Sequence, residues 1–376
     1  MDENLFLDGV SKRFVVVGGF LGAGKTTLIG KLSQWLEQRG LRTALVTNDQ
    51  GDGLMDTDSA RNSGTAGVEE ITGGCFCCRL DDLVCAVKKL DAEARPDVIV
   101  AEPVGSCTDL MATVVLPLET VYQLPFSLSP LSVVLDARRA LAALGGRRQA
   151  RDFHRDVGYV FRKQVEEAEW LVVNKIDLIS TEELSDLKQR LATEYPDKRI
   201  FIVSAKTGEG LEAWFEALMG HAAKPERLMK VDYERYAIGE AMLGWVNSEG
   251  SCVAQAADVD WGSWLGNLGD RIASQLDETG AKIGHFKMSI ESDGRRWRFH
   301  RVMSGEVSEI IEEPGVDRGE VRFLVNLRAE GDAGDLEAIV DAALAEQSQV
   351  KVTFKHRAAF QPGEPRPTHR VTELAG

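Results

Sequence analysis

Residues Gly19-Phe20-Leu21-Gly22-Ala23-Gly24-Lys25-Thr26 fit the pattern Gly-x4-Gly-Lys-Ser/Thr, between the apolar run RFVVVG and a helical pattern. Glycines let successive backbone N–H groups turn toward one anion, and the start of the following helix adds partial positive charge. Such a loop cradles nucleotide phosphates. Gly19, Gly22, Ala23, Gly24 and Thr27 would line it, Lys25 would reach the β- and γ-phosphates, and the Thr26 hydroxyl would hold Mg²⁺. Asn174-Lys175-Ile176-Asp177 closes the run WLVVN, and Ser204-Ala205-Lys206 closes RIFIVS. The Asp177 carboxylate can accept from both N1–H and the exocyclic amine of guanine, whereas adenine offers no such donor pair. Taken alone, NKID could be a loop with an ordinary capping Asp. Behind the phosphate loop and ahead of Ser-Ala-Lys, it reads as a GTP site.

Glu102-Pro103-Val104-Gly105 ends the run PDVIVAE. A carboxylate there supports Mg²⁺, and the Gly105 N–H can be offered to the γ-phosphate. Glu stands in place of the more usual Asp, which favours water-mediated contact with the metal. Asn48-Asp49-Gln50-Gly51-Asp52 follows TALVT. Asp49 or Asp52 would orient the attacking water or support the Mg²⁺ shell, and an Asx turn is the plain alternative. Lys25, Glu102 and Asp49 are therefore the expected catalytic groups. The sequence singles out neither a general base nor an arginine finger.

Gly73-Gly74-Cys75-Phe76-Cys77-Cys78 gathers three thiols between the Asn48 and Glu102 motifs. Thiolates suit Zn²⁺, Co²⁺, Ni²⁺ or Cu(I), and the two glycines let the backbone curl round one ion. Three close ligands leave a fourth position open for transfer. The alternatives are a redox couple, a structural zinc completed by Cys85 or Cys107, and plain buried packing. Cys107 follows Gly105 by two residues, so the fold could bring it toward the nucleotide.

These motifs need strand ends to hold them. RFVVVGG, TALVTND, PDVIVAE, LSVVLDA, WLVVNK and RIFIVSA alternate with helical patterns. Near-continuous apolar strands separated by helices predict an α/β fold with a mainly parallel sheet covered on both faces. A helix is expected from Thr26 to about Arg39, and another from Ser180, where Glu183 completes a capping box. The first domain is expected over residues 1–222. A smaller α+β domain over 233–357 follows, with a strand near Ala241–Val253, a helix near Trp261–Leu276, paired strands at IGHFKMSIES and RRWRFHRVMS, a strand at VRFLVNLRAE, a helix at DLEAIVDAALAEQ and a last strand at VKVTFKH. That order suggests a split βαβ layout. Residues 358–376, with Pro362, Pro365 and Pro367, are expected to be a disordered tail.

A 376-residue chain that is 44% hydrophobic can bury an ordinary core over two domains. Its net charge of -15 repels a phosphate backbone, which argues against nucleic acid as a partner. No apolar run approaches the roughly 20 residues that span a bilayer. The acidic start without an apolar core, and six cysteines read as reduced thiols, point to the cytoplasm and away from the membrane.

With the phosphate loop, GGCFCC, EPVG and NKID in this order, the chain resembles the CobW-type metallochaperone GTPases, relatives of the hydrogenase and urease accessory GTPases. The resemblance covers residues 13–220 and extends to LSVVLDA and Gln164. It implies GTP and Mg²⁺ as cofactors, with Zn²⁺ or Co²⁺ as cargo at Cys75, Cys77 and Cys78. Delivery would be to a client metalloprotein or cofactor-synthesis enzyme, with a nucleotide-dependent dimer as one assembly. Two departures stand out: the six histidines are isolated rather than gathered into a metal-collecting stretch, and NDQGD replaces Asn-Glu-Phe-Gly. A regulatory GTPase with structural or redox thiols, or one that gates a corrinoid enzyme, is the alternative.

Overall fold

The computed structural model describes residues 12–48, 65–144, 153–255, 259–315 and 320–374. Asp49 and Asp52 lie outside them. The first unit is built on β1 (Arg13–Gly19), β2 (Thr43–Asn48), β3 (Gly67–Ile71), β4 (Val98–Glu102), β5 (Ser127–Leu128), β6 (Ser132–Asp136), β7 (Trp170–Asn174) and β8 (Arg199–Ile202). Their order is β3-β2-β4-β1-β6-β7-β8, with β5 beside β1. Every pairing is parallel.

Parallel strands need crossover helices on both faces, so their residues are buried on both sides. This is why β1, β6 and β7 read as unbroken apolar runs, and why Val15, Val17, Val134 and Val172 join one core with Leu28, Leu32 and Trp214. The helix Lys25–Glu37 buries Leu28, Ile29, Leu32 and Leu36, each contributing about 1.5–3 kcal/mol relative to exposure. The expected capping box is formed: Ser180 Oγ accepts from the Glu183 N–H at 3.2 Å, and the Glu183 carboxylate accepts from the Ser180 N–H at 2.8 Å.

The second unit holds β9 (Leu243–Ala254), β10 (Ile283–Ser292), β11 (Arg295–Arg301), β12 (Glu309–Pro314), β13 (Val321–Glu330) and β14 (Val350–Phe360). The order β12-β11-β10-β13-β9-β14 is antiparallel throughout. β13 separates β9 from β10, which is the split βαβ arrangement, and β11 with β12 extends the β10 edge. The helices Trp261–Thr279 and Ala333–Ala345 supply Leu265, Leu268, Ile272, Leu336 and Val340 to its core, against Phe286, Phe299 and Phe323.

The chain from 358 onward departs from the disordered tail expected of it. β14 runs on to Phe360. The segment from Pro365 then belongs to the first unit, which also takes in the chain up to Tyr236. There Thr368 N–H donates to the Cys77 carbonyl at 2.8 Å and Val371 N–H to the Ala112 carbonyl at 2.9 Å. Proline-rich composition lowers the cost of ordering a chain without forbidding it, and backbone hydrogen bonds to a distant segment leave no local signature. Among the described residues no helix is long and apolar enough to cross a membrane.

Candidate functional site

The phosphate loop leaves β1 and turns on Gly22 and Gly24, at φ of 75° and 95°, in the left-handed region. A Cβ on Gly24 would stand 2.5 Å from Asn174 Nδ2, so glycine is required twice over. Lys25 is buried, and its ammonium donates to the Gly19 carbonyl at 2.8 Å, across the mouth of the loop. Thr26 Oγ1 donates to Glu102 Oε1 at 2.9 Å, which joins the loop to the end of β4. A hydroxyl and a carboxylate held together beside a nest of N–H groups suit Mg²⁺, a cation that takes oxygen ligands. Thr27 is exposed on the first helical turn. Gly105 lies against the loop from the other side, where an added Cβ would meet the Leu21 nitrogen at 2.9 Å.

The base motif is tied into the same loop. Asn174 donates to the Ala23 carbonyl at 2.9 Å and accepts from the Ala205 N–H at 3.0 Å, linking the ends of β1, β7 and β8. Asp177 is exposed and accepts from Ser204 Oγ at 2.6 Å. Lys206 is exposed beside them. Lys175 adopts φ 64° and sends its ammonium to the Gly22 carbonyl at 2.6 Å and to Asp136 Oδ2 at 2.8 Å. Burial raises the Asp136 carboxyl, but Lys175, Arg139 and Arg138 outweigh it and hold the group below its ordinary value. Asp136 was not among the expected site residues. A single Asp at the end of a strand carries no pattern of its own, and its partner is far along the chain.

The thiol loop is fixed by Asn48, the last residue of β2. Its side-chain amide donates to the carbonyls of Ile71 at 2.9 Å and Gly74 at 2.8 Å, and its carbonyl accepts from the Phe76 N–H at 2.9 Å. Gly73 and Gly74 take φ of 73° and 159°, which the turn requires. The thiols of Cys75, Cys77 and Cys78 lie within 4.8 Å of one another, the one group of metal-ligating type found among the described residues. Their separations are 2.8, 3.3 and 3.8 Å. Cys75 and Cys77 are buried, Cys78 is half-buried, and Cys85 is exposed on the following helix, outside the group. Hydrogen bonds from Cys107, Cys77 and Cys78 pull the Cys75 thiol well below its ordinary value. The same sharing with Cys107, Cys75 and Cys78 pushes Cys77 well up, and Cys75 pushes Cys78 up to about 11. Three sulfurs gathered this closely form a cluster of soft donors suited to a soft cation.

The C-terminal segment closes over this cluster, and sequence reasoning missed it. Arg366 N–H donates to Cys78 Sγ at 3.1 Å, and Thr368 Oγ1 donates to the Cys78 carbonyl at 3.2 Å. Gln164 is also within reach: its amide donates to the carbonyls of Gly105 at 2.9 Å and Cys107 at 2.8 Å, clamping the loop after β4.

Residues 13–202 match the family profile described as CobW/HypB/UreG, nucleotide-binding domain. Zinc chaperone CobW from Sinorhizobium sp is 30% identical over 217 residues, which is 52% of this chain and 59% of that protein. Zinc-regulated GTPase metalloprotein activator 1 from Schizosaccharomyces pombe is 29% identical over 199 residues, 51% of this chain and 45% of that protein. The chain therefore spans about half the length of the curated relatives it matches. Among solved structures, Zn(II)-bound YjiA GTPase from E. coli aligns at 14% identity and a TM-score of 0.37, over 89% of this chain and 99% of that one.

Proposed function

The chain belongs to the CobW/HypB/UreG family, and on that premise we propose that it is a Mg²⁺-dependent GTPase that carries Zn²⁺ or Co²⁺ at Cys75, Cys77 and Cys78 and delivers it to a client metalloprotein or cofactor-synthesis enzyme. The observation that carries this reading is the shared scaffold of the two sites. Asn48 at the end of β2 holds the thiol loop, and β2 pairs with β4, whose last residue, Glu102, bonds Thr26 of the phosphate loop. A γ-phosphate contact that shifts the loop after Glu102 is therefore transmitted to the strand edge on which the thiols hang. Zinc named in the relatives' descriptions supports the cargo.

In this reading Lys25 and the loop N–H groups bind the phosphates, Asp177 selects guanine, and Asn174 locks the base and phosphate segments together. Thr26 and Glu102 would hold Mg²⁺, which would supply positive charge to the phosphates. Coupling between nucleotide and metal must be reciprocal. Competition titration of Zn²⁺ and of Co²⁺ is expected to give different affinities with a non-hydrolysable GTP analogue and with GDP. Equal affinities in the two states would sink the delivery mechanism.

The burial of Cys75 and Cys77 favours one second reading, a regulatory GTPase with a structural thiol site. Replacing all three cysteines by serine separates the two. A carrier keeps its fold and loses stoichiometric metal, whereas a structural site loses stability.

A further inference from the structure

We propose that Cys107 is a fourth ligand of the metal, so that the site is a four-thiolate one whose fourth member rides on the loop that senses the nucleotide. The inference rests on the preceding reading only in taking the thiols to hold a transition metal. Cys107 is 1% exposed. Its thiol lies within hydrogen-bond reach of both Cys75 and Cys77, although it is about thirty residues distant in sequence. Sulfurs bound to one tetrahedral Zn²⁺ at about 2.3 Å stand about 3.8 Å apart. A thiol in hydrogen-bond contact with two members of the cluster is placed to complete such a tetrahedron with a small adjustment.

Hydrogen bonds hold the loop that carries Cys107 together as one body, so its thiol moves with the loop rather than turning within it. Its own N–H donates to the Val104 carbonyl at 3.0 Å. Gln164 clamps the carbonyls of Gly105 and Cys107. Thr108 donates through Oγ1 to Glu167 at 3.0 Å, and its N–H donates to the Tyr236 hydroxyl at 3.2 Å. A buried thiol that serves only as a small hydrophobe would not need this anchoring, nor would it face two other thiols.

The consequence is mechanistic. Cys75, Cys77 and Cys78 sit on a loop held by Asn48, while Cys107 follows Gly105, which packs against the phosphate loop at Leu21. A shift of that loop with the γ-phosphate withdraws one thiolate and leaves three. Closed four-ligand sites retain zinc and three-ligand sites exchange it, so the withdrawal opens the position a client ligand would enter.

The test uses the full chain, with Co²⁺ as a reporter of thiolate number and sulfur counting by X-ray absorption on the Zn²⁺ form. The wild type is expected to show four sulfurs. Cys107→Ser is expected to show three, with the thiolate-to-cobalt charge-transfer band falling to about three quarters, and Cys85→Ser is expected to match the wild type. A wild-type count of three, with Cys107→Ser unchanged in band and in Zn²⁺ competition, overturns the inference and leaves the carrier reading intact. A wild type that binds neither metal overturns both. The count on the wild type needs no variant, so misfolding of Cys107→Ser cannot rescue the idea.

Discussion

Asp177 and Glu167 are the two carboxylates on which residue-scale predictions turn. Asp177 is exposed at a strand end, with one oxygen on Ser204. If it reads guanine, Asp177→Asn leaves one acceptor oxygen where N1–H and the exocyclic amine need two, and sets an NH₂ donor against the amine. GTP affinity should fall by about 100-fold or more, while xanthosine triphosphate, whose C2 oxygen accepts a bond from the new amide, should gain. Competition binding with a fluorescent nucleotide measures both, and an unchanged GTP affinity would remove NKID from the base site. Glu167 is buried and receives hydrogen bonds from Thr108 Oγ1 and Met111 N–H. Burial, reinforced by Asp109, pushes its carboxyl up to about 8 from 4.5. A raised acid holds its proton in the folded state after the unfolded chain has lost it. Stability therefore declines as pH rises from about 4.5 toward 8 and is constant on either side of that window. Glu167→Gln keeps the shape without the titration, so urea unfolding from pH 5 to 8 should show wild-type stability falling relative to the variant. At 1.4 kcal/mol per unit the full difference is on the order of 5 kcal/mol. Parallel pH curves would refute the assignment.

Elements decide where those residues meet, and the loop after β4 packs against the phosphate loop at Leu21 while Gln164 holds its carbonyls. Gly105 is not in a left-handed conformation. Its constraint is space, because a Cβ would come within 2.9 Å of the Leu21 nitrogen and 3.1 Å of its Cα. Backbone cannot yield as a flexible side chain does, so Gly105→Ala must push the phosphate loop or its own loop aside. Overpacking of this kind costs about 1–3 kcal/mol. The displacement should weaken GTP binding about tenfold or more, at 1.4 kcal/mol per tenfold, and metal stoichiometry measured without nucleotide should stay at the wild-type level. Full GTP affinity in the variant would show that this packing is slack. The strands that present Gly105, Asn48 and Asn174 were legible because two-sided burial writes itself as continuous apolar runs. The helix Lys25–Glu37 was legible from its apolar stripe. Glu167 was not, and Asp136 and Gln164 were marked only through the family resemblance, because each acts on a backbone or side chain far along the chain, and pairings of that kind leave no periodicity.

At the scale of the whole molecule, the segment from Pro365 is the feature that composition misread. Three prolines suggested an unfolded tail, whereas the chain returns to the first unit, bonds the thiol loop through Arg366 and Thr368, and reaches Asp109 through Arg370. The Arg370 guanidinium bonds Asp109 at 2.6 Å, and the Asp109 side chain is 1% exposed. Burial raises that carboxyl, against the pull of Arg370 and Tyr233. Removing Arg370 leaves the buried Asp109 with the Tyr233 hydroxyl but no cation, at a cost of up to about 3 kcal/mol. Deleting residues 365–376 removes Arg370 together with the donor to Cys78 Sγ. Two outcomes should follow together. The urea midpoint should drop by an amount that Arg370→Ala largely reproduces, and Cys78 should react faster with a thiol reagent, which Arg370→Ala alone should not cause. If the segment also covers bound metal, the deletion speeds Zn²⁺ release to a chelator in the same protein, since the cover and the donor are lost at once. A deletion that lowers the midpoint while leaving thiol reactivity and release unchanged would make the segment a brace for Asp109 and nothing more, because stability and access to Cys78 are separable through Arg370→Ala.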